Sequence, residues 1–133
     1  MGSVVVDTHA CIWYLFKSSR LSERARAAME DAASQGDSCL VLAITIIEVT
    51  YLAEKRRILP DVLPRLISAL NTAEAALSFV PIDLAVASRL GDVPRDSVPD
   101  MPDRIIAATA LHLGLPLVTR DSAIRASGIE TIW

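Results

Sequence analysis

The stretch Val4-Val5-Val6-Asp7 runs three β-branched residues, without polar alternation, into a carboxylate. A short apolar run of this kind suits a strand covered on both faces, as in parallel sheets, whereas a strand with one wet face alternates. Residues 39–43, 79–82, 117–119 and 130–133 have the same look. Between these runs lie segments of helical period at residues 21–33, 45–57, 62–77, 84–90 and 104–113. In the third, Val62, Leu63, Leu66, Ile67, Leu70 and Leu77 fall along one helical stripe. Strands alternating with helices require β-α-β crossovers, so the expected class is α/β: helices on both sides of a mainly parallel sheet of about five strands. Gly36-Asp37, Gly114 with Pro116, and Gly128 punctuate the runs as helix stops and turns. Residues 91–102, with Pro94, Pro99 and Pro102, read as a loop leading into the last long helix.

The chain has 133 residues, of which 52% are apolar and 22% charged, enough to build one core, and residues 1–133 are expected to form a single domain. A mean hydropathy of +0.40 excludes a disordered or low-complexity chain. The densest apolar run, residues 39–47, ends at Glu48 and is short of the roughly 18 residues of a membrane span. No secretory or acylation pattern opens the sequence, so a cytoplasmic protein with no membrane association is expected. Cys11 and Cys39 are solitary and in apolar context, and read as buried thiols. A net charge of -3 does not announce a nucleic-acid binder, although acids gathered in a metal site make the formal charge a poor guide.

The acids fall at strand ends. Asp7 closes the first strand, Glu48 lies on the helix after the second, Asp103 opens the helix at 104–113, and Asp121 follows the fourth strand. Functional crevices of open parallel sheets lie at the carboxyl ends of the strands. Each acid also has a plain structural role. Thr45-Ile46-Ile47-Glu48 has the pattern of a capping box, Asp7 and Asp121 suit N-caps, and Asp100 or Asp103 suits the cap of the following helix. Four acids from four segments beside one sheet edge exceed what capping requires. Such a group needs compensation, because like charges raise one another's pKa. An all-oxygen set without paired His or Cys selects a hard ion, Mg²⁺ or Mn²⁺, with the hydroxyls of Thr8 and Thr119 close by. A cation so held polarises a scissile phosphate, acidifies an attacking water and stabilises the departing oxygen, which points to phosphodiester hydrolysis.

Taken together, Val6-Asp7-Thr8-His9-Ala10, Glu48 on its helix, the run from Pro102-Asp103-Arg104 to Ala110, and Val118-Thr119-Arg120-Asp121 resemble the four motifs of PIN-domain ribonucleases, in order and over nearly the whole chain. The length and the Asp-Thr-His opening resemble the VapC-type toxins of toxin-antitoxin modules. The resemblance implies a five-stranded parallel α/β/α sandwich, Mg²⁺- or Mn²⁺-dependent endoribonuclease activity, a homodimer, a VapB-type antitoxin as partner, and Asp7, Glu48, Asp103 and Asp121 as the catalytic and metal-holding acids. His9 stands where many members carry Asn, as a substrate contact. By spacing alone Asp100 serves as well as Asp103, and the motif favours Asp103.

Other chemistries fit less well. A thiol pair of Cys11 and His9 lacks a third orienting group, an aspartyl-phosphate mechanism would need a second Asp where His9 stands, and no Gly-rich phosphate loop is present. For RNA, Lys55-Arg56-Arg57 is either complementation of a helix C-terminus or a grip on a flanking phosphate, about 10–13 Å along the helix from Glu48. Arg104 and Arg120 are either substrate contacts or ion-pair partners of the acids. Trp13, Tyr14 and Phe16 suit base stacking or core packing. The alternative from another class is a non-catalytic α/β interaction module of the same fold, which divalent-metal binding would distinguish.

Overall fold

A computed structural model describes residues 2–133. Strand β1 (Val4–Val6) leads into helix α1 (Thr8–Leu15) and helix α2 (Glu23–Ser34), then β2 (Cys39–Leu42), α3 (Ala43–Glu54) and α4 (Val62–Asn71). Strand β3 (Leu77–Val80), α5 (Leu84–Ser88) and α6 (Met101–Leu113) follow, then β4 (Leu117–Val118), α7 (Ser122–Ala126) and β5 (Thr131–Ile132). The five strands lie in the order β3-β2-β1-β4-β5, and all four neighbouring pairs are parallel.

The strand period of two sorts the core into layers. Val4 and Val6 of β1, Cys39 and Val41 of β2, and Val118 of β4 pack on one side with Ala10, Met29, Val49 and Leu66 of α1 to α4. Val5, Leu42 and Leu117 face the other side, against Ile44, Ile106, Ala107, Ala110 and Ile124 of α3, α6 and α7. This is the expected three-layer α/β/α sandwich. The chain winds outward from β1 through β2 to β3, then returns to place β4 on the opposite flank of β1. The gap above β1 and β4 is therefore the topological switch point, where such sheets leave a crevice. Among the described residues, no helix is long and apolar enough to cross a membrane.

Boundaries differ from the sequence reading in instructive ways. Helix α1, absent from that reading, starts directly after β1 because the Asp7 carboxylate accepts the Ala10 backbone N–H at 2.8 Å. Helix α3 starts at Ala43, not at residue 45, and ends at Glu54, so Ala43 is not in the strand. Its cap residue, Leu42, offers no side-chain bond, and Thr45 lies buried inside the helix; the capping box does not form. The expected helix 62–77 stops at Asn71. A tight turn follows, in which Ala73, Ala75 and Ala76 take positive φ of 53°, 54° and 61°, and Leu77 belongs to β3. Alanine is an excellent helix former, but the chain must reverse here to enter the sheet beside β2. Strand β3 accordingly starts two residues before the expected 79. The helix expected at 84–90 ends at Ser88, with a 3₁₀ turn at Leu90–Asp92. Helix α6 begins at Met101, three residues early, with Asp100 rather than Asp103 as its cap.

Candidate active site

Asp7 leaves β1 at the switch point and serves two purposes. One carboxylate oxygen caps α1, and the other accepts the Thr119 hydroxyl at 2.5 Å. The residue is only 8% exposed, and burial lifts its carboxyl above the usual carboxylate range against the opposing pull of those two hydrogen bonds. Thr119, directly after β4, is fully buried, and its hydroxyl oxygen also accepts the backbone N–H of Asp121 at 3.0 Å. One side chain thus ties Asp7 to Asp121, whose own carboxylate caps α7 through Ile124 N–H at 2.9 Å. The N-cap roles expected for Asp7 and Asp121 and their position beside the cleft coexist.

Glu48 sits on the second turn of α3, beyond the first turn where the capping pattern would have put it. The Thr8 hydroxyl donates to its carboxylate at 2.5 Å, and Thr8 and Thr45 hydroxyls meet at 3.1 Å. A hydroxyl carries one proton, and that of Thr8 goes to Glu48, so Thr45 donates to Thr8. The two buried threonines form a relay that aims Glu48, and Thr45, read from sequence as a cap, is a positioning residue. Its burial pattern was the missing signal, since a T-x-x-E spacing looks alike in both roles. Burial, followed by the charges of Asp100 and Asp7, raises the Glu48 carboxyl against the Thr8 bond.

Asp103 stands in the first turn of α6, half-buried, and its carboxyl is pushed up to about 7 by burial first and then by Asp100, Asp121, Glu48 and Asp7. Asp100 accepts the Asp103 backbone N–H at 3.2 Å as the exposed cap. All five carboxylates line one cleft of about 310 Å³, together with Thr8, His9, Trp13 and Arg120. As placed, no three His, Cys, Asp or Glu side chains among the described residues are grouped tightly enough to ligate a single ion. They share a cleft, and the fit to a cation is one of charge and donor type: carboxylate oxygens, mutually repelling, suited to a hard divalent ion.

The two arginines next to site acids part ways. Arg104 turns away and donates from Nε to the Val93 carbonyl at 2.8 Å. Arg120 is exposed at the cleft, its guanidinium carbon 4.8 Å from the centre of the Trp13 ring. Neither makes an ion pair with the acids; among the described residues the ion pairs are Arg26–Glu23, Arg65–Glu74 and Arg89–Asp92. Trp13 is buried between His9 and Trp133, with ring centres 5.6 and 5.9 Å away. Tyr14 and Phe16 do not line the cleft. Lys55 and Arg57 lie past the end of α3 and line a separate groove that shares Glu48 with the cleft. Cys11 is fully buried and its thiol is pushed up to about 12, which removes it as a nucleophile.

Residues 4–128 match the PIN domain family. The chain is 33% identical over 126 residues to Ribonuclease VapC22 of Mycobacterium tuberculosis, an overlap covering 95% of this chain and 92% of that protein. Among solved structures it is similar to a chain of a toxin-antitoxin complex from Klebsiella pneumoniae, at 26% identity and a TM-score of 0.68, covering 98% of this chain and 96% of that one. A chain of DNA-bound VapBC from Salmonella typhimurium shares the fold, with a TM-score of 0.67 at 22% identity over 98% of this chain and 97% of that one.

Proposed function

This chain belongs to the PIN-domain family, among its VapC-type members, and on that premise we propose that it is a Mg²⁺- or Mn²⁺-dependent endoribonuclease, the toxin of a toxin-antitoxin pair. The observation that carries this reading is the cleft at the switch point, which carboxylates from four separate segments and Asp100 line together. When bound, a hard divalent cation supplies the Lewis-acid charge that polarises a phosphodiester and acidifies water. Asp7, Glu48, Asp103 and Asp121 would hold it. Asp7 and Glu48 are each held beside the cleft by a hydroxyl, Asp7 by Thr119 and Glu48 by Thr8 with Thr45 behind it. Asp103, its carboxyl raised to about 7, would give up the proton it partly holds near neutrality when a cation binds.

The partners proposed are an RNA substrate, a VapB-type antitoxin and a second copy of this chain, acting in the cytoplasm. Support for the antitoxin is that the similar solved structures are toxin-antitoxin complexes. The test is cleavage of total cellular RNA by the purified chain with Mg²⁺ or Mn²⁺. Discrete cuts that vanish in EDTA and in Asp7→Asn are expected, since that substitution keeps the shape while deleting the charge. A folded, fully active Asp7→Asn protein refutes the site, and a folded wild type that cuts nothing favours the non-catalytic interaction module.

A further inference from the structure

An RNA strand that enters a cleft lined by five carboxylates is repelled by them, and a bound cation offsets only part of that charge. Something fixed and positive must therefore hold the strand. Among the described residues Arg120 is the one Lys or Arg that lines the cleft. An arginine that shares a cleft with several carboxylates can close onto one of them as a forked pair. Arg120 does not; it stands over the Trp13 ring and makes no ion pair. A ring face attracts the cation but takes up none of the five N–H donors of a guanidinium, which stay available to phosphate oxygens. Trp13 is itself fixed, 8% exposed and flanked by His9 and Trp133, so the platform is rigid before any substrate arrives. The neighbouring candidate, Arg104, is committed to the Val93 carbonyl.

We propose that Arg120, held off the acids by Trp13, is the substrate-binding residue that grips a phosphate of the RNA strand next to the one cleaved. This rests on the ribonuclease reading above. Its role is to bind and place the strand, so its loss falls on KM and on RNA affinity more than on kcat.

The experiment compares the full-length wild type with Arg120→Gln and Arg120→Lys. Binding of a fluorescein-labelled, mixed-sequence single-stranded RNA is followed by anisotropy in EDTA over a series of KCl concentrations, and KM and kcat for cleavage with Mg²⁺ are measured alongside. Arg120→Gln is expected to weaken binding about tenfold and to flatten the slope of log K against log salt by about 0.7, the value of one phosphate contact on a single strand. Arg120→Lys keeps the charge and should restore the slope while recovering only part of the affinity, because a lysine has no planar fork. Melting temperatures separate binding from packing. If Arg120→Gln leaves affinity, slope and KM unchanged, the proposal is overturned, and a lowered melting point in that case makes the residue a packing partner of Trp13. A wild type that neither binds nor cuts RNA overturns the ribonuclease reading and this proposal together. One that binds and cuts, with Arg120→Gln its equal, overturns this proposal alone.

Discussion

Thr119 has one hydroxyl and two acidic neighbours, giving its proton to Asp7 and taking the backbone N–H of Asp121. Thr119→Val keeps the shape and removes both bonds, leaving a buried carboxylate short of a donor at a cost of about 1–3 kcal/mol. Because that donor holds the Asp7 carboxyl down, its loss should move the acidic limb of the pH–rate profile to higher pH, with Thr119→Ser returning it. A threonine that merely fills space would lower the melting point in Thr119→Val and leave the profile in place. The sequence showed Thr8 and Thr119 as oxygens near the acids, because each adjoins a site motif. The relay through Thr45 was hidden, since only packing tells a buried interior threonine from a cap.

Asp100 and Asp103, between which spacing alone leaves the choice open, stand in different surroundings at the start of α6. The helix begins at Met101, so Asp100 is the cap, exposed and bonded to the third N–H, while Asp103 sits one turn inward under the combined charge of the cleft. Serine caps a helix about as well as aspartate. Asp100→Ser should therefore change stability by no more than about 1 kcal/mol, read from its thermal melt, and retain most ribonuclease activity, whereas Asp103→Asn should lose it. Equal losses in the two variants would make Asp100 a working acid as well. At this scale strands were read within a few residues because their apolar runs are bounded by turns. Helix ends were read poorly. Helix α1 was missed because Thr8 to Leu15 carries apolar residues on all sides of a short, mostly buried helix, and the Ala73–Ala76 turn was missed because tertiary reversal overrides alanine's preference.

Across the whole molecule, the cleft costs stability when no cation is present. Asp103, with a folded carboxyl near 7 against an ordinary value of 3.8, holds its proton more tightly folded than unfolded, and Asp7 and Glu48 shift in the same direction. The folded state therefore binds more protons than the unfolded one between about pH 4 and about pH 7, and stability falls as pH rises through that window. In EDTA the melting point at about pH 8 should lie below that at about pH 5, Asp103→Asn should flatten the difference, and millimolar Mn²⁺ should raise the melting point at the higher pH. A flat profile in EDTA would mean that neither burial nor the neighbouring charges raise these carboxyls. The layered α/β class was legible from the apolar runs, and the strand order, which sets the switch point, was not, because crossover rules leave the side of β1 taken by β4 undecided.

The strand order also governs when the cleft comes into being. Asp7 and its partner Thr119 lie 112 residues apart, and β4 enters the sheet only beside a finished β1. A chain still emerging from the ribosome, with its first acid already made, has no Thr119 to aim that acid and no Asp121 to complete the group. The site cannot assemble piecemeal during synthesis: its geometry, and any chemistry that depends on it, waits until the segment carrying Thr119 and Asp121 has been made and β4 has docked beside β1.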